Sequence, residues 1–269
     1  MIIFKSIKVL NNNVNFNNKI GFVPTMGALH EGHISLIKAS KRKCQKTIVS
    51  IFINKPQFNQ KKDFKNYPRN INQDLKILRK LKVDYLLMPS EKDIYSTNKQ
   101  KKIKINKKDL IMCAKFRSGH FEGVLAVINQ FLIKTKPSVM FLGEKDFQQI
   151  YLIKKFISGK FKTKIIECKT VRNKNGLPYS SRNVLLNQKD LQTAIKVSQI
   201  IKKFYNKLKL NFKKSKDIYL VKNKIINKNV KLEYLEIRNK LNLSKKIDKK
   251  NFKIFIAYHI NGIRLIDNY

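Results

Sequence analysis

The chain has 269 residues, 42% of them hydrophobic, so it can bury the core of one large domain or two modest ones. No run of about 18 uncharged apolar residues occurs, which excludes a membrane-spanning helix. A formal net charge of +42, from 59 lysines and arginines against 17 aspartates and glutamates, would ordinarily indicate a nucleic-acid or anionic membrane partner.

Short apolar runs alternate with helical patterns through the first two thirds of the chain. Apolar, β-branched runs predict strands at 19–23, 47–53, 84–88, 138–142 and 162–168. Apolar residues at spacings of three and four predict helices at 33–44, 69–81, 121–135 and 145–158. Such a succession forms a parallel sheet, so we predict an α/β fold with a Rossmann-like sheet.

The ends of these strands carry the polar motifs of the chain. Ligands of parallel α/β sheets bind beyond the carboxyl ends of the strands. Four motif loops begin at such ends, at residues 24–33, 54–58, 143–146 and 171–182. We therefore expect them to meet at one crevice.

The pattern changes in the last third of the chain. Polar amphipathic helices are predicted at 187–210 and 216–226, followed by strands near 231–237, 253–259 and 263–266. We predict a ligand-binding domain over 1–176 and a smaller α+β domain over 177–269 that covers the active site. No Ser/Gly/Pro-rich tether separates them, so we expect close packing with the crevice between them.

Residues 21–37 carry the strongest functional signal. An apolar strand is broken by Pro24 and Gly27, and an amphipathic helix then opens near His30 and His33. Free N–H groups and the positive end of the helix dipole favour phosphate there, and both histidines lie on one face of the first turn. Solvated or capping histidines are the alternative for a bare His-x-x-His.

Six blocks, in the same order, resemble the pantothenate synthetases (pantoate–β-alanine ligases) of the nucleotidyltransferase superfamily. They are residues 23–33, 50–58, 67–69, 117–124, 141–149 and 171–183, and 262–268 resembles the closing strand of the family. The resemblance implies an enzyme that joins pantoate to β-alanine through a pantoyl adenylate, releasing AMP and pyrophosphate. It also implies ATP as a substrate, Mg²⁺ carried largely by the phosphates and water, and a homodimer.

The resemblance assigns roles to individual residues. It implies that the catalytic residues are His33, His30 and Lys145, and that pantoate is bound by Gln57 and Gln149. ATP would be bound by Met26, Gly27, Ala28, Leu29, His30, Glu31, Gly32, His33, Gly143, Glu144, Lys145, Asp146, Val171, Tyr179, Ser180, Ser181 and Arg182. No metal ligand is assigned.

These residue types suit the chemistry. A carboxylate has a pKa of about 4 and is already ionised, so forming an acyl adenylate needs no general base. It needs positive charge and hydrogen-bond donors around the phosphates, where negative charge develops. Neutral glutamine amides can hold the acid without an ion pair that would blunt its nucleophilicity. A nucleotidyltransferase acting on a phosphate acceptor is the nearest alternative, and Gln57, Gln149 and residues 117–124 argue against it.

Several positions keep two interpretations. Asp146 either caps the helix that follows it or positions ribose or metal. Ser180 and Arg182 either bind phosphate, as the resemblance implies, or act as a helix cap and a solvated arginine. We interpret His120 as structural or supporting rather than catalytic, with Asn54 a secondary site candidate. Lys55 and Tyr179 depart from the residues usual in the family.

The large positive charge also has two interpretations. One is a basic nucleic-acid-binding protein. The other is genomic base bias, because 51 lysines against 8 arginines, spread along the chain with abundant Asn, Ile and Phe, are favoured by A+T-rich codons. A selected nucleic-acid surface would more often show a local patch with arginines and stacking aromatics. We favour base bias and expect no specific nucleic-acid partner and no membrane association.

We expect a cytoplasmic protein. The N-terminal apolar stretch contains Lys5 and Lys8 and lacks the apolar segment and cleavage site of a signal peptide. Cys44, Cys113 and Cys168 are far apart, show no metal spacing and cannot all pair. A reducing compartment suits such cysteines.

Overall fold

The computed structural model describes residues 1–95 and 103–269, apart from the side chain of Lys214. It divides into two compact units, Met1–Thr170 and Val171–Tyr269. The sequence placed the boundary between residues 176 and 177. The structure places it earlier because Arg172 pairs with Pro178 and hydrogen-bonds Asp267, which holds the turn at 172–178 in the second unit.

The first unit alternates strands and helices. Its elements are β1 (Ile2–Phe4), α1 (Ile7–Asn13), β2 (Ile20–Thr25), α2 (Glu31–Lys43), β3 (Lys46–Ile51), α3 (Lys61–Lys65), α4 (Ile71–Lys80), β4 (Tyr85–Leu87), α5 (Glu91–Ile94), α6 (Cys113–Phe116), α7 (His120–Thr135), β5 (Val139–Gly143), α8 (Phe147–Ile157) and β6 (Lys164–Cys168). The predicted strands and long helices are confirmed with shifted ends. Pro24 does not end β2, which continues to Thr25.

The strands form a parallel sheet in the order β1-β4-β3-β2-β5-β6. From β2 the chain proceeds to β3 and β4 on one side, and it later adds β5 and β6 on the other. The direction of winding therefore reverses between β2 and β5. In open parallel sheets such a reversal leaves a crevice at the carboxyl ends of the two strands, where ligands bind.

Both faces of this sheet are buried, as the continuous apolar runs predict. Successive residues of a strand point to opposite faces, so Phe22 and Ile48 join one cluster while Val23 and Val49 join the other. The first cluster includes side chains of α1, α7 and α8, and the second includes side chains of α2 and α4. Helices therefore cover each face and leave the strand ends to position functional groups.

The second unit contains α9 (Gln188–Leu210), α10 (Ile218–Ile226), β7 (Lys231–Asn239), β8 (Phe252–Ile260) and β9 (Ile263–Asn268). The strands pair antiparallel in the order β7-β8-β9. Ile201 and Val221 of the helices pack with Ile254 and Tyr258 of the sheet in one buried cluster. This confirms the predicted α/β fold with a smaller α+β unit.

Two sequence expectations concern properties of the whole chain. Within the described ranges, no helix combines the length and apolar character needed to cross a bilayer. Cys44, Cys113 and Cys168 are free thiols. Burial raises the pKa of Cys44 and Cys168, so these two thiols are held in the protonated form.

Candidate active site

The loop between β2 and α2 turns sharply. Gly27 and Ala28 have positive φ angles of 78° and 50°. Glycine adopts this left-handed conformation at little cost, whereas alanine requires support from its surroundings. That support comes from Asp74 of α4, whose carboxylate accepts hydrogen bonds from the N–H groups of Ala28 (2.9 Å) and Leu29 (2.7 Å).

His30 occupies the N-cap position of α2. Its Nδ1 accepts a hydrogen bond of 3.1 Å from the N–H of Gly32, so the neutral ring carries its proton on Nε2. A Cβ at residue 32 would lie 2.8 Å from His30 Cε1, which explains the glycine in the His-x-Gly-His motif. His30 therefore caps the helix, as the alternative interpretation held, and its neutral ring also carries an N–H.

His33 lies beside His30 one turn later. The two imidazole rings are 4.1 Å apart between centroids. Burial lowers the pKa of His30 to about 2, with further contributions from His33 and Lys145. Burial also lowers the pKa of His33 to about 4, where Asp146 acts in the opposite direction and Lys145 in the same one. Both rings are therefore neutral at pH 7, and a neutral imidazole carries one N–H that it can donate.

Lys145 and Asp146 belong to the turn Glu144–Asp146, which follows β5. Because β2 and β5 are neighbours in the sheet, this turn and the histidine loop lie at the same edge. The Lys145 ammonium is 3.9 Å from the Asp146 carboxylate. Asp146 stands at the N-cap of α8 but makes no side-chain capping hydrogen bond, so the capping interpretation is wrong.

Gln57 lies in the short turn Lys55–Gln57 after β3 and is buried. Its Nε2 contacts Met26 Sδ in the histidine loop, which brings the predicted acid-binding amide to the predicted nucleotide loop. The backbone carbonyl of Gln57 accepts a hydrogen bond from His120 Nδ1, and His120 Nε2 faces Arg117. These contacts agree with a supporting role for His120.

Gln149 lies in the first turn of α8, three residues after Asp146, and is partly buried. Its neighbour Gln148 is buried and donates a 2.7 Å hydrogen bond to the Ile111 carbonyl. Of the two adjacent glutamines, Gln148 therefore has a structural contact, and Gln149 remains the candidate for binding substrate.

The predicted ATP-binding residues beyond 170 belong to the second unit. The Tyr179 N–H donates to the Val171 carbonyl (3.1 Å), and the chain then enters the turn Ser181–Leu185. Ser180 Oγ accepts from the Arg182 N–H (3.3 Å), so Ser180 is the cap that the alternative interpretation described. Its hydroxyl hydrogen can still be donated elsewhere.

Comparisons with known proteins show the family to which the chain belongs. The model of the pantoate-beta-alanine ligase family matches residues 3–269. The chain belongs to this family of ligases.

Two pantothenate synthetases illustrate the similarity to family members. That of Francisella tularensis subsp. novicida is 43% identical over 279 residues, which cover 100% of this chain and 97% of the relative. That of Francisella philomiragia is 43% identical over 274 residues with the same coverage. The resemblance found in the motifs is therefore confirmed over the whole chain.

Solved structures of the ligase family share the fold. The Francisella tularensis pantoate-beta-alanine ligase, complexed with beta-gamma ATP and beta-alanine, superposes with a TM-score of 0.87 at 41% identity, covering 100% of this chain and 97% of that one. The Thermus thermophilus pantothenate synthetase gives a TM-score of 0.91 at 24% identity, covering 100% and 99%. The second match supports the fold alone.

The sequence analysis missed two residues that support the candidate site, namely Asp74, which holds the histidine loop, and Tyr95, which hydrogen-bonds Asn54. Their contacts lie in segments distant along the chain, so no local pattern pointed to them. A weak signal existed for Asp74, since an acidic residue is uncommon in so basic a chain.

The low pKa values of the two site histidines give a first prediction. Between about pH 5.5 and 8 we expect the ring resonances of His30 and His33 to stay at their neutral positions, although an unperturbed histidine titrates near 6.5. Proton–carbon correlation spectra recorded across this range would test it, with His30→Asn and His33→Asn used for assignment. A midpoint near 6.5 for either ring would contradict it.

The same pKa shifts predict how the stability of the folded chain changes with pH. The unfolded chain binds protons at these histidines below about pH 6.5, whereas the folded chain does so only near 4 and 2. The stability that the two neutral histidines give the folded chain is therefore fully present above pH 6.5. It is lost as the pH falls toward the pKa values of the histidines in the folded state. In urea unfolding, His33→Asn should show a shallower loss of stability than the parent chain over this range.

Proposed function

We propose that this chain is a pantoate–β-alanine ligase that uses ATP to make pantothenate through a pantoyl adenylate, releasing AMP and pyrophosphate. The observation that carries the proposal is the meeting of His30, His33 and Lys145 at the ends of β2 and β5, with Gln57 in contact with Met26 of the same loop. This arrangement suits adenylation, which requires a carboxylate next to a bound polyphosphate.

In the first step, a carboxylate oxygen of pantoate attacks the α-phosphorus, and the bond from that phosphorus to the pyrophosphate oxygen breaks. Negative charge builds on the α-phosphoryl oxygens and on the departing pyrophosphate. The neutral imidazoles donate N–H groups to this charge, and the Lys145 ammonium adds a point charge. Gln57 and Gln149 hold the acid by hydrogen bonds.

In the second step, the free amine of β-alanine attacks the acyl carbon of the adenylate. The acyl C–O bond breaks, AMP leaves with that oxygen, and the amine loses a proton to become the amide of pantothenate. The backbone from Met26 to His33 and the segment from Gly143 to Asp146 would enclose ATP. Val171, Tyr179, Ser180, Ser181 and Arg182 are proposed to bind ATP, as family resemblance suggests.

We propose that Mg²⁺ enters as part of the MgATP substrate. Among the described residues, no group of three or more His, Cys, Asp and Glu side chains is arranged to hold a metal ion. Magnesium commonly keeps several waters and binds through phosphates with one or two carboxylates. Asp146 is a suitable oxygen donor because its side chain is 46% exposed beside Lys145.

The proposal also covers the oligomeric state of the chain and its location in the cell. Family resemblance supports a homodimer, which sedimentation equilibrium of the purified chain would test. The separated free cysteines suit a reducing compartment, so we propose a cytoplasmic location. Fractionation of the source cells would test it.

Isotope transfer tests the proposed reaction directly. With pantoate labelled by ¹⁸O in its carboxylate, we expect AMP formation that requires both pantoate and β-alanine, and label in the AMP. The label follows because the attacking oxygen bridges to the α-phosphorus and stays there when the acyl C–O bond breaks. Mass spectrometry of the products would show it, and label in pyrophosphate or inorganic phosphate would overturn the adenylate mechanism.

Removing either proposed acid-binding amide should change the pantoate requirement selectively. We expect Gln57→Ala and Gln149→Ala to raise the KM for pantoate about tenfold or more with little change for ATP, since one hydrogen bond to a charged group is worth about 1.5–3 kcal/mol. Steady-state kinetics with each substrate varied would measure this. Gln60→Ala, an exposed glutamine three residues after Gln57, is the control, and equal weakening toward both substrates would count against the assignment.

A further inference from the structure

A chain of three polar side chains ends at Gln57. The Tyr95 hydroxyl donates to Asn54 Oδ1 at 2.6 Å, and Asn54 Nδ2 donates to Gln57 Oε1 at 3.2 Å. Asn54 and Gln57 are buried and Tyr95 is half-buried. We call this set, Tyr95, Asn54 and Gln57, the amide relay.

The orientation of the donors and acceptors in the amide relay is set by a carbonyl group, which can only accept a hydrogen bond. The Gly123 carbonyl, in α7, accepts a 3.0 Å hydrogen bond from Asn54 Nδ2. Asn54 must therefore point its NH₂ toward Gly123 and Gln57, and its oxygen toward Tyr95. Gln57 then uses its oxygen to accept from Asn54, which leaves its NH₂ group as the end of the relay, on the side of Met26.

The same glycine allows the turn of Gln57 to approach α7. A Cβ at residue 123 would lie 2.6 Å from the Pro56 carbonyl oxygen and 2.7 Å from Gln57 N and Cα. His120, one turn earlier, donates from Nδ1 to the Gln57 carbonyl at 2.7 Å. The backbone of Gln57 is thus fixed from α7, and its side chain is fixed from Tyr95.

Tyr95 is suited to remain a donor. Burial raises its pKa to about 12, against a smaller opposing effect of the hydrogen bond to Asn54. The hydroxyl is therefore protonated throughout the physiological range, and Asn54 Oδ1 keeps its partner. Without that donor, the Asn54 oxygen would be buried and unsatisfied, which lowers the free-energy cost of rotating the amide away from the orientation that the Gly123 carbonyl favours.

We propose that Tyr95 is a positioning residue that acts through Asn54 to hold the Gln57 NH₂ toward the acid substrate, so that the site selects an acceptor-only carboxylate over a neutral amide. The proposal rests on the proposed function, because it assigns the acid to Gln57. It adds a residue that touches no substrate and a physical basis for the class of acid accepted.

Tyr95→Phe removes the hydroxyl and keeps the ring. We expect the KM for pantoate, and its calorimetric dissociation constant, to rise about tenfold, the effect of about 1.4 kcal/mol, while the KM for ATP stays within about twofold. Pantoamide, the neutral amide of pantoate, should inhibit wild type weakly. Its inhibition constant relative to the KM for pantoate should fall in the variant, because a rotated Gln57 presents its oxygen to an amide N–H.

Two further variants make the test specific. Tyr85→Phe, in β4, removes the hydroxyl of another half-buried tyrosine whose ring packs near Phe4, and it should leave both constants unchanged. Asn54→Asp keeps the shape of the side chain and removes its donors, so it should weaken pantoate binding more than Tyr95→Phe does. Thermal melting of each variant checks that it is folded.

The outcomes separate the two proposals. Wild-type chain that forms no AMP from pantoate, β-alanine and ATP overturns the proposed function and this inference with it. An active wild type whose Tyr95→Phe variant binds pantoate normally, or loses ATP and pantoate affinity equally, overturns the inference alone. A selective loss for pantoate together with reduced discrimination against pantoamide supports it.

Discussion

Replacing His33 with alanine is expected to lower the rate of adenylate formation by at least about 100-fold, because a donor aimed at developing oxyanion charge is commonly worth that much. The imidazole is neutral, with its pKa lowered to about 4, so the variant loses a hydrogen-bond donor rather than a fixed charge. The ring is partly buried beside His30, with 4.1 Å between centroids, so a water molecule in its place would be a poorly oriented donor. Rapid-quench measurement of pyrophosphate release in a single turnover isolates this step.

The matched controls for His33→Ala are a conservative variant and a distant one. His33→Gln keeps an N–H donor and should recover part of the rate. His259→Ala, in β8 of the second unit, removes a histidine that contacts Glu233 and should leave adenylation close to normal. Near-normal turnover by a folded His33→Ala chain would remove His33 from the mechanism.

Lys145→Ala should cost a similar factor, again in the first half-reaction. The ammonium is a compact charge whose side chain is only 18% exposed, so its attraction for the phosphates is screened less than that of a surface lysine. Its removal has a second expected effect. The charge of Lys145 lowers the pKa of both histidines, so both pKa values should rise in the variant.

Rapid-quench kinetics and histidine titration together test that assignment. Lys154→Ala, an exposed lysine of α8 paired with Glu167, is the control and should change neither the rate nor the histidine pKa values. A defect confined to the later attack by β-alanine would contradict the role given to Lys145. Unchanged histidine titration would show that the ammonium lies elsewhere when the chain is in solution.

Patterns in the sequence were sufficient for the fold because they follow from local geometry. Strands buried on both faces read as continuous apolar runs, and helices covering them repeat every three to four residues. The small elements β1, α1, α3, α5 and α6 escaped prediction, and the four helices among them have only four to seven residues, too few to show a helical period. The ends of β2 and α8 also differed, because tertiary contacts decide where an element stops.

Much of the candidate site could also be predicted from local sequence patterns. The histidine loop and the Lys145 turn were assigned to strand ends, and β2 and β5 are indeed adjacent in the sheet. The roles of the individual residues remain predictions, as does the interpretation of the positive charge as base bias. Sequence patterns left open whether Asp146 and His30 cap helices. In the structure the His30 side chain caps α2, whereas Asp146 makes no side-chain capping hydrogen bond to α8.

The sequence by itself determined the family, the order of the strands along the chain and the candidate site residues, since these are written in contiguous motifs. Only the tertiary structure decided what holds those residues in place. Asp74 lies 46 residues from Ala28, Tyr95 lies 41 from Asn54, and the Gly123 carbonyl lies 69 from the same asparagine. Hydrogen bonds over such separations depend on the packing of whole elements, and a single chain read in order carries no period or spacing that reveals them.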